Sequence, residues 1–219
     1  MIKPVKLLLM KKPALKNLTL NGPQGALEAT LSVPDETSGS VAVVCHPHPL
    51  YGGTMDNKVV HYTVRALLEM GMPVLRFNFR GVGKSAGQFD EAVGEVDDCM
   101  AVVQWIKDEY PHDQIVMAGF SFGSYIAAQV ASRIEAAALV TVAPAVTLYD
   151  FNAISEINCP WLLIQGDADE VVPPEAVRTW VANTGRVSKV IWMPDASHFF
   201  HGRLLELSAH IRGWARDNL

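Results

Sequence analysis

The chain alternates short, apolar, β-branched runs with segments of helical periodicity, and that alternation restricts its fold more than any other feature. Residues 41–45 (VAVVC), 115–118 (IVMA), 138–142 (ALVTV) and 161–165 (WLLIQ) are short and almost wholly apolar. Such runs suit strands covered on both faces. Residues 26–33, 74–79 and 187–192 read as further strands. Between them, Val60, Val64, Leu67 and Leu68 recur at helical spacing, as do Val96, Met100, Val103 and Ile106, and later Leu204, Leu207, Ile211 and Trp214. Residues 124–134 read as a helix apolar almost all round, and another helix is expected to start at Pro173-Pro174, where proline is tolerated in a first turn. The pattern predicts an α/β fold: a mostly parallel central sheet with helices on both faces. Ligands of such sheets bind where loops leave the carboxyl ends of the strands. At 219 residues, 49% of them hydrophobic, the chain is long and apolar enough for one domain spanning 1–219.

Charge and cysteine content narrow the function. Eighteen basic and 23 acidic residues give a net charge of −5. This offers no general attraction to nucleic acid or anionic lipid, so neither nucleic acid nor membrane is expected as a partner. No apolar run approaches the roughly 20 residues of a membrane span. The apolar stretch Leu7 to Met10 is cut by Lys11 and Lys12, too short for a secretion signal, and a cytoplasmic location is expected. Cys45, Cys99 and Cys159 are widely spaced and read as buried, reduced thiols.

The strongest chemical signal follows the run 115–118: Gly119-Phe120-Ser121-Phe122-Gly123, a G-x-S-x-G motif between a strand and a buried helix. A serine at such a sharp elbow points its hydroxyl over the sheet edge. The two flanking glycines allow the arms of the turn to approach. The helix start, with the N–H of Phe122, then faces the reacting oxygen. A serine hydroxyl needs a base, and the base needs an orienting group. Carboxylates occur in the loop Gly166-Asp167-Ala168-Asp169-Glu170, after the run 161–165. His198 lies in the loop after the last strand, with Asp195 and His201 nearby; His201 falls closer to the closing helix. A second oxyanion donor belongs in the loop His46-Pro47-His48-Pro49-Leu50-Tyr51-Gly52-Gly53, where the prolines have no N–H to give.

GFSFG, GDADEVVP and ASHFF together resemble the nucleophile, acid and histidine loops of the α/β-hydrolase superfamily. The resemblance extends from about Gly25 to the end and is strongest to small, lid-free relatives of dienelactone hydrolases that carry an HPHP-type loop. It implies Ser121 as nucleophile, Asp169 as the acid, with Asp167 capping its loop, and His198 as the base. It also implies the backbone of His48 as second oxyanion donor, with Leu50 and Tyr51 as alternatives. Dienelactone hydrolases proper carry cysteine where this chain has Ser121. Only residues 143–160 separate two central strands, which leaves no room for a large cap domain. Tyr51, Phe120 and Phe199 are candidate pocket residues, with Phe122 and Phe200 also in reach; core packing is the competing explanation for each.

Two motifs imitate other chemistries. His46 and His48 form an H-x-H pair, but no further ligands stand at metal-binding spacing, and they are read as shaping the loop. NFRGVGKS, residues 78–85, approaches a phosphate-binding loop, yet helical periodicity resumes only near Ala92, too far away to cradle phosphate. The resemblance makes it a structural turn. Arg80 and the Asp97-Asp98 pair are read as ion-paired scaffold. The expected activity is hydrolysis of small carboxylic esters through an acyl-enzyme, with no metal or organic cofactor and a small-molecule ester as partner. A thioesterase or peptidase of the same fold, or an inactive hydrolase-fold binding protein, are the competing classes.

Overall fold

The computed structural model describes residues 13–219; the stretch Leu7 to Met10 lies outside them. Eight strands form one sheet: β1 (Ala14–Gly22), β2 (Gly25–Val33), β3 (Ser40–Cys45), β4 (Val74–Phe77), β5 (Gln114–Phe120), β6 (Ala136–Val142), β7 (Trp161–Gly166) and β8 (Lys189–Met193). Their spatial order is β1-β2-β4-β3-β5-β6-β7-β8. β2 pairs antiparallel with β1 and β4, and every other pairing is parallel. Five helices cover the sheet: α1 (Lys58–Leu68), α2 (Val93–Glu109), α3 (Phe122–Ala131), α4 (Pro174–Thr184) and α5 (Leu204–Asn218). This is the mostly parallel, two-faced α/β architecture that the alternation of runs implies.

The two-residue side-chain period of β3 shows how the layers form. Val41, Val43 and Cys45 enter one apolar cluster with residues of α2, α3 and α4. Ala42 and Val44 enter the other, with α1 and α5. Because both faces are buried, β3 contains no polar residue after Ser40. No described helix is long and apolar enough to cross a membrane.

Some boundaries differ from the sequence reading. β1 was not expected. Most of its residues are exposed and only Leu20 is buried, so it shows no apolar run. It belongs to the sheet through an antiparallel hairpin with β2. β4 ends at Phe77, because residues from Asn78 onward turn into the following loop. α3 begins at Phe122 rather than Ser124, directly out of the elbow, and ends at Ala131. Cys45 and Cys99 are buried with sulfurs 3.6 Å apart, whereas Cys159 is only partly buried because it sits in the connection between β6 and β7.

The order β4-β3-β5 places the site. From β3 the chain moves outward to β4, then returns across to β5 and continues to the opposite edge. The carboxyl ends of β3 and β5 therefore flank the point where the winding direction reverses, the position where such sheets leave a crevice. The HPHP loop leaves β3 there, and the GFSFG elbow leaves β5 beside it.

Candidate active site

Ser121 sits between β5 and α3 with φ 54° and ψ −116°, a left-handed backbone conformation uncommon for a residue with a Cβ. The neighbouring glycines make it attainable. A Cβ on Gly119 would collide with the carbonyl of Gly123, and a Cβ on Gly123 would collide with the carbonyls of Cys45 and His46. The arms of the elbow touch each other and the end of β3, so only hydrogen fits at both positions. The Ser121 amide donates to Val142 O (2.9 Å), tying the elbow to β6. Ser124 Oγ lies 2.8 Å from Gly119 O and 3.0 Å from Val142 O.

Three residues from three strand ends meet at this point. His198 Nε2 lies 3.1 Å from Ser121 Oγ, and His198 Nδ1 lies 2.8 Å from Asp169 Oδ2. A carboxylate only accepts, so the Nδ1 proton belongs to the bond with Asp169, and Nε2 is left with its lone pair toward the serine hydroxyl. Ser121 keeps 8% of its surface exposed, while His198 and Asp169 keep 3% and 6%. Phe120 is buried beneath the imidazole at 5.0 Å between centroids, and Phe199 meets it edge-on at 5.1 Å.

Asp169, not Asp167, reaches the imidazole. Its Oδ1 accepts from the amides of Val171 (2.9 Å) and Val172 (2.7 Å), and its Oδ2 accepts from His198 and from Gln165 Nε2 (2.8 Å). Burial pushes this carboxyl up, but the hydrogen bond and charge of His198, with the two amides, outweigh burial and hold it below the ordinary aspartate value. Asp167 instead takes the backbone amide of Asp195 (2.5 Å), stitching the acid loop to the histidine loop. Glu170 adds a second stitch, accepting from the amide of His198 (3.1 Å). Neither Asp195 nor His201 stands at the imidazole's Nδ1.

The HPHP loop wraps around its histidines. His46 is fully buried; its Nδ1 lies 2.6 Å from Pro47 O, and its Nε2 accepts from the amide of Phe79 (3.1 Å). Burial drives its pKa down to about 4, so the ring is neutral. His48 is half-buried, with its ring 4.7 Å from Tyr51, 4.9 Å from Phe89 and 5.1 Å from Phe122. Leu50 donates its amide to His48 Nδ1, and Tyr51, Gly52 and Gly53 donate theirs to the carbonyls of His48, Pro49 and His48. The amides of Leu50 and Tyr51 are thus already committed. Among the described residues, the amides of His48 and Phe122 carry no hydrogen bond.

Other expectations resolve by burial. Tyr51 is 83% exposed and Phe199 39%, whereas Phe120, Phe122 and Phe200 are core residues. The NFRGVGKS segment is a structural turn. Ser85 Oγ donates to Asn78 O, Asn78 Oδ1 accepts from the amide of Met55, and Arg80 forms a two-armed pair with Asp98. Asp97, expected beside Asp98, is exposed instead: it lies one helical residue away, about 100° round α2. Gln165 was missed, because within a buried apolar run nothing marks it as a partner of a residue four positions on.

The fold, the elbow and the absence of a cap between β6 and β7 define a lid-free α/β serine hydrolase. Residues 25–154 match the model of the X-Pro dipeptidyl-peptidase (S15) family, and the chain belongs to that family, within the α/β-hydrolase superfamily. It is 45% identical to an alpha-beta serine hydrolase homologue from Coxiella burnetii, with a TM-score of 0.87 over 90% of this chain and 95% of that one. It is 42% identical to a serine hydrolase without lid from Xanthomonas campestris, with a TM-score of 0.89 over 94% and 95% of the two chains. A protein of Rickettsia prowazekii is 36% identical over 91% of this chain and 88% of its own.

Proposed function

We propose that this protein hydrolyses small, uncharged carboxylic esters through an acyl-enzyme on Ser121. The observation that carries the reading is the continuous chain Ser121 Oγ, His198 Nε2, His198 Nδ1 and Asp169 Oδ2, with links of 3.1 and 2.8 Å. His198 takes the hydroxyl proton as Ser121 Oγ attacks the ester carbonyl. The amides of Phe122 and His48 hold the oxyanion. His198 then gives that proton to the departing alcohol, and the C–O bond to the alcohol breaks. Water attacks the acyl-serine by the same route, and the acid leaves as Ser121 regains its proton. Asp169 keeps the imidazole in the right tautomer and stabilises its cation. One domain carries these steps, without a cofactor.

The substrate class is argued from the surface around Ser121. The loops after β3, β4, β6, β7 and β8 (46–57, 78–92, 143–153, 167–173, 194–203) hold eight acidic and three basic residues, while the rest of the chain holds 15 of each. The acidic excess of the chain therefore falls in the loops at the carboxyl ends of the strands, an end of the sheet that disfavours phosphorylated acyl carriers such as coenzyme A thioesters. The same loops expose Leu50, Tyr51, Leu148, Val171 and Phe199, which suit apolar ester groups. The peptidase alternative is favoured by the name of the matching family. That match spans the nucleophile but stops before Asp169 and His198.

A panel of p-nitrophenyl esters, acyl-coenzyme A thioesters and Xaa-Pro anilides tests the reading, with Ser121→Ala as control. Turnover of the esters, with a loss of several orders of magnitude in the variant and an unchanged melting temperature, is expected. Equal turnover by the variant overturns the assignment of Ser121.

A further inference from the structure

Gln165 occupies the next-to-last position of β7 and is fully buried. Its Nε2 lies 2.8 Å from Asp169 Oδ2, 3.3 Å from Gly166 O and 3.5 Å from Val172 O. All three neighbours are acceptors, which fixes the orientation of the amide. At its other end, Oε1 is buried without a hydrogen-bond partner among the described residues. An orphaned carbonyl oxygen inside a core is destabilising, and an apolar side chain of the same length would avoid that cost. The NH2 end must therefore matter in a way that packing does not explain.

What it does follows from the lone pairs of Asp169. Oδ1 is held by two backbone amides of its own loop, Val171 and Val172. Oδ2 has two donors, His198 Nδ1 and Gln165 Nε2. Without Gln165, the only side-chain donor left on Oδ2 is the imidazole that the carboxylate is meant to hold. We propose that Gln165 is a positioning residue: anchored in the sheet, it fixes Asp169 Oδ2 so that the carboxylate aims the imidazole at Ser121. The inference rests on the roles proposed above for Asp169 and His198. Gln165 also draws electron density from Oδ2, which makes the carboxylate a weaker base and keeps the shared proton on the imidazole.

Two variants test this. Gln165→Met keeps length and removes the donor. Gln165→Glu keeps a donor only while its carboxyl is protonated, and burial beside Asp169 raises the pH at which that proton leaves. The other titratable groups near the pair are Ser121 at the elbow, Glu170 on the His198 amide, and Asp167 and Asp195 in the two flanking loops; neither variant alters them. Gln165→Met is expected to melt no lower than wild type, to lose roughly 10–100-fold in kcat at unchanged KM, and to change the pH profile of kcat/KM. Gln165→Glu is expected to work best at the acidic end and to lose activity as pH rises, opposite to wild type. Wild-type kcat and pH profile in Gln165→Met overturn the inference. If that variant does not fold, a Gln165→Glu profile parallel to wild type overturns it equally. Fluorophosphonate labelling separates the two layers: a wild type unlabelled at Ser121 sinks the underlying reading as well, whereas a labelled wild type with indifferent Gln165 variants sinks this inference alone.

Discussion

Asp98 and Asp169 are both buried, multiply hydrogen-bonded carboxylates, but their donors differ in kind. Asp98 receives three bonds from one residue: the amide, Nε and Nη2 of Arg80, at 2.9, 3.0 and 2.8 Å. Asp169 receives four from four residues, one of them an imidazole. The guanidinium never gives up its charge, so Asp98 and Arg80 form a fixed clamp that pins the loop after β4 to α2. The imidazole takes up a proton and gives it back in the reaction proposed above, so the bond to Asp169 is one whose strength changes during that reaction. Two buried, multiply hydrogen-bonded carboxylates thus serve opposite ends, and whether the partner can give up a proton decides which.

The largest effect that would break the comparison is on turnover. Asp169→Asn should lower kcat by about 10⁴-fold, because the amide can leave the imidazole in the wrong tautomer, while the melting temperature stays close to wild type. Asp98→Asn should reverse the pattern. Arg80 then keeps only its longer pair with Asp90 (3.5 Å), and the loss of its main counter-charge costs at most roughly 3–5 kcal/mol, read as a lower urea midpoint, with kcat per folded molecule nearly unchanged. A kcat collapse in the second variant, or simple unfolding in the first, would erase the distinction.

His46 sharpens it with a smaller effect. Its folded-state pKa, about 4, lies below the unfolded value near 6.5, so between those values the unfolded chain binds the extra proton. Stability is then complete above pH 6.5 and declines as pH falls toward 4, by about 3 kcal/mol at most. His46→Gln, which keeps a donor and an acceptor but does not titrate, should flatten that slope in denaturant melts taken across the range. A slope that survives the substitution would assign the titration to other groups.

Sequence reading reached the elbow because its demands are local. Ser121 needs small neighbours two positions away on each side, a strand before and a helix after, and all of these are printed in order along the chain. Asp169 and His198 were legible from their loops and from family resemblance, since each follows its own strand. Leu50 and Tyr51 stayed open as oxyanion donors, because only the folded loop shows their amides spent on His48. β1 was hidden by exposure, as a strand with one buried residue leaves no hydrophobic signature. Gln165 was hidden by the reverse: inside an apolar run it looks like an imperfection of the core, and its meaning depends on which carboxylate the next loop folds back onto it.

Between Val142 and Trp161 the chain holds only a loop and a single short 3-10 turn. Where a mouth must open and shut, turnover often waits on motions of microseconds to milliseconds. In the reaction proposed above, no cap between β6 and β7 has to swing aside at Ser121, so exchange of substrate and product would not wait on such a motion. The same missing cap would leave water a way to the proposed acyl-serine, which favours cleavage to the free acid over handing the acyl group to a second, rarer acceptor.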